Sequence, residues 1–280
     1  MTNDNAPTHD LTGQTALVTG GSRGLGRAYA IALGKAGASV AVTARTESGL
    51  TETVRLIEEA GGRGIALPAD VTDWSHVEAM AHAAEEQLGP IDLLVNNAGA
   101  PPPQVAPWEG DPDEWWSTVS VNLKGPFLCA RAVLPGMVAR RRGRVINIVA
   151  EAANKPEPFA SAYSTSKAAF IHLTECLAEA VEEYGIKVLA YHPGLVRTAM
   201  VKTITSGPAG ERFREYVSSA LEQGRETPIE KSVEWFMLLA TGQADALSGR
   251  YLVSREINAG VLERIDDILA NDLHVLRVRR

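Results

Sequence analysis

The sequence predicts a doubly wound α/β domain: a parallel sheet of about seven strands with helices on both faces. Three observations predict it. Short apolar runs alternate with longer segments of helical spacing along most of the chain. Several of those runs are apolar on both faces, as strands covered from each side must be. A glycine-rich turn follows the first run and opens the first helical segment.

Residues 15–19 (TALVT), 39–44 (SVAVTA), 64–68, 91–96 (IDLLVN), 144–149 (RVINIV), 186–192 and 250–253 read as the strands. Between them, residues 25–36, 47–60, 73–88, 113–140 and 160–184 have helical apolar spacing. Four of these segments end near Gly37, Gly61, Gly89 and Gly185. Thr72 or Asp73 supplies the N-cap of the third. Right-handed crossovers between such strands place helices on both faces of one sheet.

Two stretches escape the alternation. Residues 100–112 are proline-rich and carry Trp108, and residues 195–227 form a long insertion centred on Ser206, Gly207 and Pro208. Ligands bind beyond the C-terminal strand ends in this architecture, so both are candidate pocket walls, the second long enough for a mobile lid. Surface decoration is the alternative. Residues 261–280 read as an amphipathic helix through Val261, Leu262, Ile265, Ile268, Leu269 and Leu273. It covers a neighbouring subunit's pocket or caps its own domain; Asp266, Asp267 and Asp272 oppose anionic lipid. The organisation expected is a disordered lead-in over residues 1–10, one domain over 11–260, and the helical tail.

The 280 residues are 45% hydrophobic, enough for a sizeable core, and the net charge is −7. That charge favours solubility and argues against a general affinity for nucleic acid or anionic membrane. The polar N-terminus carries no apolar run of a secretory signal, and no stretch approaches a membrane span. Cys129 and Cys176 sit in helical, partly apolar stretches and read as reduced thiols, which fits a cytoplasmic location. The basic run Arg140, Arg141, Arg142 and Arg144 reads as a solvated helix end rather than a phosphate site.

The turn itself runs Thr19, Gly20, Gly21, Ser22, Arg23, Gly24, Leu25, Gly26. Glycines let the backbone approach a pyrophosphate, and free amides at the helix start favour its charge. This predicts a nicotinamide dinucleotide. At the end of the second strand, where NAD sites commonly place a carboxylate, the chain reads Ala44, Arg45, Thr46. Arg45 and Arg23 would meet around a 2′-phosphate, so NADP(H) is preferred over NAD(H).

With these motifs stand Asp70 and Val71; Asn96, Asn97, Ala98 and Gly99; Asn122; Tyr163 and Lys167; and Pro193 and Gly194 followed by Thr198. In this order they resemble the short-chain dehydrogenase/reductase superfamily, in its single-domain Rossmann branch, over roughly residues 11–253. The resemblance implies that Asp70 and Val71 hold the adenine and that Asn97, with Ala98 and Gly99, supports the central strand and ribose region. It implies that Pro193, Gly194, Val196 and Thr198 border the nicotinamide amide. It also implies a dimer or tetramer built on the helices 113–140 and 160–184, acting on a small-molecule substrate.

Tyr163 and Lys167 are four residues apart and share a helix face. A nearby ammonium stabilises phenolate, so the expectation is a lowered tyrosine pKa. Tyr163 would exchange the proton at the substrate oxygen, Lys167 would hold the cofactor ribose, and Asn122 would anchor a proton-relaying water.

One position departs from the pattern. Where the family places a serine whose hydroxyl bonds the reacting oxygen, some thirteen residues before the tyrosine, this chain has Ala150. Losing one such donor costs about 100- to 1000-fold in turnover. Asn154 or a protonated Glu151 could replace it, and Ser161 is the nearest downstream serine. Glu151 could otherwise be an acid, a base, an anchor for a cationic substrate, or a solvent-facing loop residue. The leading expectation is an NADPH-dependent oxidoreductase acting on a carbonyl or alcohol carbon. The alternatives are a non-redox cyclase, dehydratase or isomerase on the same scaffold, and a catalytically weakened NADP(H)-binding protein.

Overall fold

The computed structural model describes residues 9–206, 210–258 and 260–277. The strands are β1 (Thr15–Thr19), β2 (Ser39–Thr43), β3 (Arg63–Ala66), β4 (Ile91–Asn96), β5 (Gly143–Ile148), β6 (Ile186–His192) and β7 (Tyr251–Val253). All pair in parallel in the order β3-β2-β1-β4-β5-β6-β7, so the chain winds outward in both directions from β1.

Period-two alternation divides the core between the faces. Ala16 and Val18 of β1, Val40 and Val42 of β2, and Ile146 and Ile148 of β5 point one way. There they meet Leu33 of α1 (Gly24–Lys35) and Leu50 and Ile57 of α2 (Glu47–Glu59). Leu17, Ala41 and Val145 point the other way. They meet Val77 and Met80 of α3 (Trp74–Leu88), and Leu128, Val133 and Met137 of a helix over Gly125–Arg140. Asp73 caps α3, its carboxylate accepting from the amides of Ser75 and His76.

The segment expected as one helix over 113–140 is three pieces. These are α4 (Pro112–Val119), a π-turn over Ser120–Lys124, and α5 (Gly125–Arg140). Pro126 has no amide to give the carbonyl of Asn122, which breaks the i to i−4 ladder at that point. The next helix is α6 (Ser161–Val181), followed by one 3₁₀ turn over Glu182–Tyr184.

The insertion is more ordered than its sequence suggests. It contains α7 (Ala199–Ser206) and α8 (Gly210–Glu222). Gly207 and Pro208 lie outside the described residues, as do residues 1–8 of the expected lead-in. Both ends of the insertion are tied together: the Thr227 amide donates to the Leu195 carbonyl at 3.0 Å, and Arg197 pairs with Glu226 at 2.5 Å.

A further helix, α9 (Ile229–Ala240), fills a stretch the strand and helix patterns left unassigned. Its Phe236 stacks on Tyr29 of α1 with ring centroids 4.1 Å apart. The Tyr29 hydroxyl lies 2.9 Å from Ser232 Oγ, and the Tyr191 hydroxyl donates to the Ser232 carbonyl at 3.0 Å. These contacts cover the β1 side of the sheet.

The tail is not one amphipathic helix. After α10 (Ser254–Asn258) comes a 3₁₀ turn over Val261–Arg264, then α11 (Ile265–Ala270), where helix ends. Left-handed backbone at Asp272 and His274 turns the chain back along the sheet edge. The Tyr251 amide donates to the His274 carbonyl at 2.8 Å, and Arg250 pairs with Asp272 at 2.6 Å. The tail therefore covers the open edge of β7, which an unpaired strand needs.

The basic run does end α5, with Arg141 and Arg142 exposed as expected, but its arginines also make tertiary contacts. Arg140 donates to the Ile91 carbonyl at 2.7 Å, Arg142 pairs with Asp92 at 3.1 Å, and Arg144 pairs with Asp245 at 2.7 Å. Arg141 lies over the Tyr184 ring. Asp92 is buried and also accepts from the Thr15 amide, at the register shift between β1 and β4. Both cysteines are unpaired; Cys129 is buried and Cys176 exposed. Among the described residues no helix is long and apolar enough to cross a membrane, and no acidic, histidine or cysteine cluster could hold a metal ion.

Phe236→Ala removes the stacked ring from the β1 face and is expected to lower the unfolding free energy by about 3–5 kcal/mol. Urea denaturation measures it. A loss below about 1 kcal/mol would show that α9 contributes little to that core.

Candidate functional site

The C-terminal ends of the strands open on one cleft of about 1230 Å³, beside the point between β1 and β4 where the winding reverses. Gly20 and Gly24 have φ of +66° and +57°, left-handed conformations that glycine adopts without strain. A Cβ on Gly26 would lie 2.3 Å from the Gly20 carbonyl oxygen and 2.4 Å from Asn97 Nδ2, so no side chain fits. Asn97 Nδ2 donates to the carbonyls of Thr19 (2.9 Å) and Gly20 (3.2 Å). In return Thr19 Oγ1 accepts from the amides of Asn97 and Ala98, both at 3.0 Å.

The turn is also held from the α2 side. Thr53 Oγ1 donates to the Gly21 carbonyl at 2.8 Å, and Arg27 reaches Thr53 Oγ1 and the Ser22 carbonyl. The motif reading missed both residues, because their role depends on the packing of α2 against α1. Arg23 stands at the start of α1 in extended conformation, and no side-chain cap occupies the first amides. Ser22, Arg23 and Leu25 line the cleft there. Uncapped amides at a helix start can accept an anion such as a diphosphate.

At the end of β2, Ala44, Arg45 and Thr46 line the same cleft, with Arg23 and Arg45 both exposed. Val71 lines the cleft and is preceded by Asp70 in the β3–α3 connection. The Asp70 carboxylate accepts from the Thr72 amide (2.9 Å) and hydroxyl (2.7 Å). Those bonds, with a smaller contribution from the field of Arg45, hold its pKa below the usual carboxylate value.

Tyr163 and Lys167 project from the first turns of α6 into the cleft. Lys167 is buried, and its Nζ donates to the Ile148 carbonyl at 2.8 Å, 5.8 Å from the Tyr163 ring centroid. Burial lowers the Lys167 pKa to about 8, and burial pushes the Tyr163 phenol up to about 12. The expected lowering of the phenol by the ammonium is thus not met: loss of water around the phenolate outweighs the neighbouring charge. At neutral pH Tyr163 holds its proton and Lys167 its charge.

Asn122 does not line the cleft with its side chain. It is fully buried, with Oδ1 accepting from the Ala100 amide (2.8 Å) and Nδ2 donating to the Ala100 carbonyl (3.1 Å). The amide side chain therefore positions the chain after Gly99. Its main-chain carbonyl is the one that Pro126 leaves without an α-helical donor.

On the far side of the cleft, Pro193, Gly194, Val196 and Thr198 lie in its wall. Gly194 has φ +85°, and a Cβ there would lie 2.0 Å from Thr227 Oγ1, which pins the base of the insertion to the sheet. Thr198 Cγ2 lies 3.7 Å from a Cβ position on Gly24, and Met200 Cε 3.6 Å from one on Gly99. The insertion thus sits over the glycine-rich turn.

Ala150 lines the cleft beside Val149 and Tyr163. Of the residues nearby, Glu151 lies 3.7 Å from Arg255 and its charge also reaches His192 in the cleft wall, while Ser161 Oγ accepts from Trp115 Nε1 at 3.1 Å. Sequence reasoning missed His192, the last residue of β6, which lines the cleft with Nδ1 buried and unpartnered among the described residues. Burial lowers its pKa to about 4, so the ring is neutral. Its place directly before Pro193 was the available signal.

Comparison with known proteins bears on this geometry. The profile of the short chain dehydrogenase family matches residues 14–209. A short chain dehydrogenase of Pseudocercospora fijiensis is 35% identical, across 91% of this chain and 84% of the relative. A short-chain alcohol dehydrogenase of Sinorhizobium meliloti superposes with a TM-score of 0.80 at 37% identity, over 89% of this chain and 97% of that one. A variant of actinorhodin polyketide ketoreductase, solved with NADPH, superposes with a TM-score of 0.80 at 31% identity, over 89% and 97%.

Proposed function

This chain belongs to the short-chain dehydrogenase/reductase superfamily, a family of nicotinamide-dependent oxidoreductases, and on that premise we propose that it is an NADPH-dependent reductase of ketones or aldehydes of small to medium size. The reverse reaction, alcohol oxidation, uses the same groups. The observation that carries the reading is a protonated phenol, Tyr163, beside a buried ammonium, Lys167, in one cleft with an uncapped, glycine-lined helix start.

The site fits a dinucleotide, since the first amides of α1 carry no side-chain cap at the cleft and Gly26, with no side chain, lets α1 pack directly on the Gly20 carbonyl and Asn97. When bound, the nicotinamide supplies or takes the hydride. Tyr163 gives its hydroxyl proton to the carbonyl oxygen as that oxygen gains charge. The Lys167 ammonium then faces the phenolate and stabilises it. A water held at the Asn122 carbonyl returns the proton from solvent. Val71, Asn97, Ala98 and Gly99 form the floor toward the ribose, and Pro193 to Thr198 the wall toward the nicotinamide.

NADPH rather than NADH follows from Arg23 and Arg45 with no carboxylate at the tip of β2; the NADPH held by the similar ketoreductase supports it. The reading takes the enzyme as cytoplasmic and as a homodimer or homotetramer, with the exposed Phe127 of α5 on the contact face. Residues 11–260 form its catalytic domain.

Ala150 favours a second reading. With no side-chain hydroxyl at that place, Tyr163 is the donor the reacting oxygen meets, and the pocket could serve an already activated carbonyl or a non-redox isomerisation, cyclisation or dehydration.

Three outcomes are expected. Tyr163→Phe abolishes NADPH oxidation followed at 340 nm while the dissociation constant for NADPH changes less than about twofold; undiminished turnover removes Tyr163 from the reaction. Arg45→Ala weakens NADPH about 10- to 100-fold and leaves NADH nearly unchanged, by fluorescence titration. Ala150→Ser raises turnover of an unactivated ketone about 100-fold. If product forms in the native protein with no change at 340 nm and Ala150→Ser destroys that activity, the non-redox reading replaces the reductase.

A further inference from the structure

Beside the catalytic cleft lies a second hollow of about 230 Å³, and Pro103 lines both. Its walls are Trp115 and Trp116 of α4 with Val105 and Pro107 of the preceding loop. The two indoles stand edge to face, their centroids 4.9 Å apart. Trp115 is fixed by its bond to Ser161, a residue that also lines the hollow and begins α6 two positions before Tyr163. The rim leaves apolar surface in water: Trp116 is 61% exposed and Trp108 in the same loop 84%. A patch of this kind at a concavity marks a binding surface.

Its size and position select the occupant. Whole drug-sized ligands occupy roughly 300–1,000 Å³, so this hollow takes one end of a molecule whose other end lies in the cleft. Indole edges and faces suit an aromatic ring, by offset or edge-to-face contact. Charge narrows it further. Asp113 and Glu114 line the cleft on the first turn of α4, and Asp111, which lines the hollow, caps that helix through the Asp113 amide. A carboxylate or phosphate on the substrate would meet these acids directly.

We propose that Trp115 and Trp116 form a subsite for an uncharged aromatic or fused-ring end of the substrate, so that the enzyme reduces aryl or polycyclic ketones. The inference rests on the reductase reading above and names its substrate class.

The test compares acetonaphthone, butanone and acetylnaphthoate in wild type, Trp116→Ala and Trp116→Phe, with the melting temperature of each checked. Trp116→Ala is expected to raise KM for acetonaphthone about tenfold with kcat little changed, to affect butanone several-fold less, and to be rescued by Trp116→Phe. Acetylnaphthoate is expected to have at least about tenfold lower kcat/KM than acetonaphthone in wild type. Calorimetric titration of naphthylethanol, with and without NADP, gives a readout independent of turnover and is expected to weaken about tenfold in Trp116→Ala. Failure to bind either pyridine nucleotide overturns the reductase reading, while naphthylethanol binding sensitive to Trp116 still supports the subsite. Naphthylethanol binding that is absent in wild type or unaltered by Trp116→Ala overturns the subsite, as does an equal effect on both neutral ketones. If Trp116→Ala instead only dissociates an oligomer in light scattering, the patch is a contact between copies and the proposal falls.

Discussion

The side-chain amide of Asn97, bonded to the carbonyls of Thr19 and Gly20, joins the two halves of the sheet where their winding diverges. It also fixes the turn that aims the first amides of α1. The Thr19 hydroxyl closes the same joint from the other strand by accepting two amides of the β4 exit. From there the chain runs through Gly99 to Ala100, which Asn122 grips at both its amide and carbonyl. Hydrogen bonds at Thr19, Asn97 and Asn122, with the short backbone between them, thus link the glycine-rich turn to the π-turn that packs on α6.

Where local pattern decides, the fold was readable. β1, β4 and β6 follow their apolar runs to the residue, while β2 and β7 differ by one position at one end and β3 and β5 by one or two positions at both ends. The misreadings have separate physical causes. Residues 113–140 carry unbroken helical spacing, but the missing amide of Pro126 divides them. The arginine run looks like a charged surface until β4 brings Asp92 and the α9–β7 connection brings Asp245 beside it. In the tail, apolar residues keep a helical rhythm to Leu273, but pairing with β7 competes and prevails beyond Ala270.

At the site, residue types were legible and electrostatics were not. The glycines could be named from backbone geometry, whereas Asn97, Tyr163 and Lys167 follow from the family resemblance, the four-residue spacing adding only that Tyr163 and Lys167 share a helix face. The sign of the Tyr163 shift depends on how much water remains around the phenol, which the packed fold alone sets. The local bonds of Asp70 were not legible either: a threonine two residues on gives its carboxylate an amide and a hydroxyl. Ala150 was visible in the sequence, but that Glu151 meets Arg255 and Ser161 meets Trp115 is a tertiary fact.

The joined base at Leu195 and Thr227 has a consequence for how such a protein can diversify. A loop whose two ends are already fastened to each other adds little entropic burden when it lengthens, since closure cost grows only slowly with length. Here the fastening lies next to Gly194, which is itself wedged against Thr227 and Ser254. Beyond Thr198, which still belongs to the cleft wall, the stretch between the two anchors is free to change in length and sequence. Evolution can rewrite its helices, and with them the shape that a guest molecule encounters, while the strands beneath keep their register.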